Sequence, residues 1–319
     1  MMRLAALLPL VMLWMGSPAA VGETQGAVHL LERMSLAVNT SSYIGEFTLE
    51  RDGRQERLRI IHRVRDGEVS EKLVSVTEPG RQLTRIGDEV TVYLPDAGLA
   101  VVEHRPGRAS LLGMLPRGGG DLTSWYDIVL EGRLPELNGR PAAVISVRPR
   151  DGFRFGQRLW IDEQTALPVR MELLDNGGAV IERMRFAQLE LHSRIPDDRL
   201  QPEAAGSGLK WMRHRDRPGA AAGWTIVGAP PGFKLMAVHT KELRDIPSPV
   251  TQMVWSDGLA TASVFIQSAP PGLTATGAGR AGAASTFTAQ VAGHQVTAVG
   301  EVPMATLRKL VSGARPSPR

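Results

Sequence analysis

The chain has 319 residues, 43% of them apolar and 5% aromatic, with 34 Gly and 22 Pro. It is too apolar to be disordered, and the Gly and Pro content favours a turn-rich β protein over a helical bundle. It has no Cys, which excludes disulfides, thiolate chemistry and Cys-based metal sites; a net charge of +4 without a concentrated basic run argues against nucleic acid as a partner.

The first residues read as a secretory signal. Arg3 is the basic n-region and Leu4–Met15 the apolar h-region, which is too short to span a bilayer. Small residues offer cleavage near Ala19 or Gly22, and no Cys lies there to be acylated. The expected location is the periplasm. The basic residues are nearly all Arg, the exceptions being Lys72, Lys210, Lys234, Lys241 and Lys309. Arg suits bidentate contact with phosphate or carboxylate, although a GC-rich coding bias explains the excess as well.

Residues 27–38 place Val28, Leu31, Met34 and Val38 on one helical face. Strands follow. Tyr43, Gly45, Phe47 and Leu49 share a face, and Arg51-Asp52-Gly53 is a tight hairpin signal. In Arg57–Arg65, Leu58, Ile60, His62 and Val64 point one way and mostly Arg the other. Arg65-Asp66-Gly67 is a second such turn. Further strands are expected at Glu71–Val76, Gln82–Ile86, Glu89–Leu94 and Ala100–His104.

Residues 105–124 break this pattern and read as a short helix followed by a Gly-rich loop. Trp125–Leu130 and Ala142–Arg148 are strands around the Leu137-Asn138-Gly139 turn. Arg150-Asp151-Gly152 is a third turn of the same kind. In WIDEQTALPVRMELLD, residues 160–175, four acids crowd together. Alternation resolves them into two strands around the turn Asp162–Thr165. Pro168, lacking an amide hydrogen, belongs at a strand start or an unpaired edge. Residues 193–222 lose the alternation and read as a linker. Beyond it, strands are expected at Trp224–Val227, Phe233–Thr240, Val250–Trp255, Ala260–Gln267, Thr286–Val291 and Gln295–Val299. Residues 270–285 read as a Gly/Ala-rich loop and Pro303–Val311 as a helix.

The search for chemistry yields no enzyme. The seven His lack metal-ligand spacing, and no GxSxG is present. Gly277-Ala278-Gly279-Arg280-Ala281-Gly282 matches GxGxxG by letter, but no helix follows it, so the dinucleotide fingerprint fails. His62, on the apolar face of its strand, reads as a satisfied core histidine. No cofactor and no metal are expected.

Three runs carry a resemblance: SSYIGEFTLERDG; IIHRVRDGEVSEKLVS; and SWYDIVLEGRLPELNGRPAAVISVRPRDGFRFGQRLWIDEQTALPVRMELLDNGGAVIERMRFAQLEL. With PPGFKLM, WSDGLATASVFIQ and AGHQVTAVGEVP they resemble the RseB/MucB family over nearly the whole mature chain. The resemblance implies a mainly β (α+β) fold: a large incomplete antiparallel β-barrel with capping helices, similar to lipoprotein carriers, and a smaller antiparallel sheet with a helix. The expected division is signal 1–22, large domain 23–195, linker 196–222 and small domain 223–319. It also implies a periplasmic negative regulator of an envelope-stress sigma factor. Such a protein binds the periplasmic region of a membrane anti-sigma factor (RseA/MucA-like), shields it from proteolysis, and senses lipid or lipopolysaccharide. The alternative is a periplasmic lipid or lipoprotein carrier. A homo-oligomer is compatible with either. The residues expected to touch lipid are Leu111, Leu112, Met114 and Leu115 in a lid over residues 110–116, with Trp125, Tyr126, Trp160 and Met171; Met adapts to varied acyl shapes.

Overall fold

In a computed structural model, residues 18–78, 80–104, 122–202, 208–213, 215–218, 223–242, 249–269 and 276–317 are described. Helix α1 (Pro18–Thr40) is longer than its apolar stripe. It buries Ala27, Leu31, Met34 and Val38, with Val28 only half-buried, so the buried face begins one residue earlier than the sequence spacing suggested. The larger of these side chains contribute on the order of 1.5–3 kcal/mol each by leaving water. Asn39 and Thr40 turn their side chains back to the carbonyls of Ser35 and Leu36 and finish the helix.

The next strands are β1 (Tyr43–Arg51), β2 (Arg54–Arg65), β3 (Glu68–Ser75), β4 (Gln82–Ile86), β5 (Glu89–Leu94) and β6 (Leu99–His104). After them come β7 (Tyr126–Pro135), β8 (Pro141–Pro149), β9 (Gly156–Asp162), β10 (Pro168–Leu174), β11 (Val180–Leu191) and β12 (Lys210–Arg213). They form one sheet in the order β12-β6-β5-β4-β3-β2-β1-β11-β10-β9-β8-β7. The β1–β2 and β2–β3 turns hold positive φ at Asp52 and Asp66 and at the glycine after each, the geometry of a two-residue hairpin. The third Arg-Asp-Gly differs: β8 stops at Pro149 and β9 starts at Gly156, leaving a wider connection. Pro168 begins β10, where its missing amide hydrogen costs least.

One apolar cluster joins the buried face of α1 to residues of β1, β2 and β7–β11. Strands β1 and β7 lie far apart in the sheet yet meet in this cluster, so the sheet curls around the helix as an open barrel. Pairing registers assign the faces. Met171 is opposite Leu159 and Met184 in one row, while Trp160 is opposite Arg170 in the neighbouring row on the other face.

The second unit comprises β13 (Arg215–Pro218), β14 (Trp224–Ile226), β15 (Lys234–Glu242), β16 (Val250–Ser256), β17 (Thr261–Ser268), β18 (Gly277–Ala281), β19 (Ala284–Val291), β20 (His294–Gly300), helix α2 (Met304–Gly313) and β21 (Ala314–Pro316). Seven strands form an antiparallel sheet in the order β13-β15-β16-β17-β20-β19-β18, and β14 pairs with β21. Helix α2 buries Leu307, Leu310 and Val311 on the core of this sheet. Among the described residues, no helix is long and apolar enough to cross a membrane.

Two expectations change. The stretch expected as linker contributes β12 to the large sheet, parallel to β6, and β13 to the small sheet. Its charged, poorly alternating sequence is tolerated because both are short strands at sheet edges, where backbone pairing suffices. Part of the expected Gly/Ala loop is strand β18, paired with β19 from Gly277↔Thr288 to Ala281↔Ala284. Apart from Arg280 its side chains are too small to signal a strand, and all five residues are exposed.

Candidate functional site

The inner face of the large sheet is apolar along Leu49, Met184, Met171, Leu159 and Ile145, aligned by register. Met171 is 1% exposed there. Strands β6 and β7 lie near opposite ends of the sheet order and are joined by residues 105–125. That connection holds Leu111, Leu112, Met114 and Leu115, which lie outside the described residues.

The remaining expected contacts divide between two faces. Tyr126 and Met171 are buried in the apolar cluster, and Trp125 packs against it half-buried. Trp160, 5% exposed, also belongs to this cluster, but register places it in the neighbouring row on the opposite face, with the Arg170 guanidinium 4.2 Å from its ring centroid. That outer face carries a lattice of ion pairs. Glu172, 3% exposed, accepts from Arg170 at 2.6 Å and Arg183 at 2.9 Å. Burial alone would raise its pKa, but the two guanidinium bonds outweigh it and hold the carboxyl below its ordinary range. His62 is buried, stacked on Tyr43 at 4.6 Å and bonded through Nδ1 to Glu71 at 2.7 Å.

A second constellation lies where the two units meet, and the sequence did not point to it. Arg154, in the wide connection after β8, is completely buried. Its Nε donates to Asp257 Oδ2 at 2.5 Å, Nη1 donates to Asp151, and Nη2 donates to the carbonyl of Pro231. Trp125, Tyr126 and Phe233 surround the guanidinium, with ring centroids at 5.0, 5.7 and 5.1 Å. Tyr126 donates its phenol to the same Asp257 oxygen at 2.8 Å. Burial, then the Asp257 carboxylate, pushes the Tyr126 pKa well above the ordinary tyrosine range. For Arg154, burial opposes the charge, but the bonds to Asp151 and Asp257 more than compensate and raise its pKa. The cluster therefore stays ionised at Arg154 and neutral at Tyr126 at neutral pH.

Neighbouring contacts extend the junction. Leu259, in the β16–β17 turn, enters the apolar cluster of the large sheet. Thr306 donates to the Phe153 carbonyl at 2.5 Å, and Lys309 sits 5.2 Å from the Phe153 ring. At a second point, the Gly282 amide donates to Asp52 in the β1–β2 turn at 2.6 Å. The only signals in the sequence were two Asp-Gly turns and the glycine of PPGF, none of them diagnostic.

The MucB/RseB N-terminal domain model matches residues 26–204, and the MucB/RseB C-terminal domain model matches residues 218–315. The chain belongs to the MucB/RseB family. It is 32% identical over 314 residues to the sigma factor AlgU regulatory protein MucB of Pseudomonas aeruginosa, covering 96% of both chains. It is 25% identical over 298 residues to the sigma-E factor regulatory protein RseB of Escherichia coli K12, covering 93% of both. Among solved structures it resembles MucB in complex with periplasmic MucA at a TM-score of 0.71 and 28% identity, over 92% of this chain and all of that one. It resembles MucB alone at a TM-score of 0.66 and 30% identity. The open β-barrel and the smaller sheet with its helix are thus the MucB/RseB architecture, and this is a family of regulatory proteins rather than of enzymes.

Proposed function

We propose that this chain is a periplasmic regulatory binding protein that holds the periplasmic region of an anti-sigma factor and so restrains an envelope-stress sigma factor. One observation carries the reading: the chain aligns over 96% of its length with a sigma factor regulatory protein and over 92% with MucB in complex with periplasmic MucA. Two units meet at the buried Arg154–Asp257 junction, which offers a partner a surface that draws on both. Residues 1–22 act as the export signal. Titration of the mature chain with the matching anti-sigma periplasmic segment tests the proposal by calorimetry. Saturable binding is expected, and no binding by the full mature chain rejects it.

The finer part of the proposal is a lipid or lipopolysaccharide ligand. It is favoured by the apolar inner wall with Met171 and Met184, and by the apolar sequence run Leu111, Leu112, Met114 and Leu115 between β6 and β7. Met side chains conform to acyl chains of varied shape. Because α1 fills part of the wall, a ligand would lie beside it, towards Trp125. If lipid and anti-sigma segment compete, each must weaken the other by the same factor.

A further inference from the structure

We propose that the Arg154 cluster is a latch between the two units that opens and closes with both units folded, and that Trp125 and Tyr126 are its release.

The partition of hydrogen bonds is the first ground. Asp257 uses its two oxygens for different tasks. Oδ1 accepts the amides of Leu259 at 2.9 Å and Ala260 at 2.7 Å, which holds its own turn. Oδ2 takes the bonds that cross the junction, from Tyr126 and Arg154. Arg154 is divided in the same way. It has Asp151, three residues earlier in its own unit, and it reaches across to Asp257 and to the Pro231 carbonyl. When the units part, Arg154 keeps one carboxylate and Asp257 keeps its turn, while water reaches the groups that are uncovered. A buried ion pair without such fallback partners would strand a charge on opening. This one has a second stable arrangement for each side, which a two-position device needs.

The position of Trp125 is the second ground. Its ring packs against the apolar cluster of the large sheet on one side and meets the Arg154 guanidinium on the other. It also occupies the space at Gly232, where an added Cβ would stand 2.5 Å from Trp125 Cε2 and 2.7 Å from Arg154 Nη2. Its amide donates to Leu122 at 3.0 Å, and its carbonyl accepts from Arg150 at 3.0 Å, in the connection that carries Arg154. Trp125 and Tyr126 stand together at the start of β7, one against the guanidinium and the other bonded to Asp257. A shift of these two residues moves the aromatic wall and the phenol that hold Asp257 and Arg154 together.

The latch stands on the junction alone; only its use in releasing a partner rests on the proposed function. The absence of Cys allows a direct test, since introduced thiols are unique. Spin labels at Gln188→Cys in β11 and Gln290→Cys in β19, both exposed, report the distance between the units by pulsed electron resonance on the full mature chain. One narrow distribution is expected for the parent. Asp257→Asn, which keeps Oδ1 for its own turn, is expected to add a second, displaced population. Trp125→Ala is expected to add the same population, and the double variant to show no third one. Tyr126→Phe removes a single hydroxyl and gives a smaller displaced fraction. Far-UV and near-UV circular dichroism confirm that each variant is folded. The parent distribution in both Asp257→Asn and Tyr126→Phe overturns the latch. A displaced population with Asp257→Asn but neither with Trp125→Ala nor with Tyr126→Phe overturns the release. Anti-sigma binding by the labelled parent is measured separately, so loss of the proposed function is not mistaken for loss of the latch.

Discussion

Arg154 and Asp257, 103 residues apart in sequence, meet at 2.5 Å with both side chains fully buried, and the bond joins the two sheets. Removing one member of a buried, hydrogen-bonded ion pair ordinarily costs roughly 3–5 kcal/mol, because the other charge is left without compensation. Here Asp151 remains beside Arg154. The loss for Asp257→Ala is therefore expected towards the lower end of that range, read from denaturant midpoints of the mature chain. A loss under about 1 kcal/mol, the scale of a solvent-exposed pair, would contradict the burial described.

Two glycines near the junction separate crowding from backbone strain. Gly228 and Gly232 have φ of +68° and +82°, so alanine is strained at either. At Gly228 nothing lies within 4 Å of an added Cβ; at Gly232 the methyl meets Trp125 and Arg154. Gly228→Ala is expected to cost about 1–2 kcal/mol, the ordinary penalty of left-handed backbone. Gly232→Ala is expected to cost clearly more and to open the junction. Equal losses of thermal stability in the two variants would contradict this.

The strands were largely legible in the sequence because a half-buried strand writes its face into every second residue. Gln82–Ile86 and Glu89–Leu94 read as strands from alternation and turn chemistry, and they are β4 and β5. WIDEQTALPVRMELLD likewise became β9, a turn and β10. Asp162 holds that turn by accepting the Thr165 amide and hydroxyl, each at 2.8 Å, so this acid is structural. Strand β18 escaped notice because Gly and Ala carry no face. The Arg154 cluster escaped for another reason: its members come from four separate stretches, and no local spacing announces a contact across more than a hundred residues. Trp125 and Tyr126 were expected beside a ligand; the structure places both of them against the second unit.

The outer ion-pair lattice predicts an acid dependence. Glu172 has a folded pKa below its unfolded value, so its contribution is fully present above the unfolded pKa and is lost as pH falls through the folded one. At neutral pH, Glu172→Gln is expected to be less stable than the parent, since Arg170 and Arg183 lose their shared carboxylate. As pH drops below about 4.3, the ordinary glutamate value, the gap between the two should narrow. Urea midpoints at a series of pH values check it; a constant gap down to the most acidic point would rule out this linkage.

The two faces of the large sheet make opposite predictions for the proposed lipid ligand. Trp125 packs half-buried against the inner apolar cluster, just before β7. Trp160 lies on the outer face, covered by Arg170. Bromine on an acyl chain quenches indole fluorescence only near contact. A brominated fatty acid bound along the inner wall should therefore quench Trp125 and spare Trp160. Trp125→Phe should remove most of the quenching and Trp160→Phe very little. The reverse order would place the acyl chain on the outer face, where Glu172 and its arginines would have to surrender their bonds to admit it. That exchange is unfavourable, because buried charges stripped of their partners cost more than an acyl chain gains by covering them.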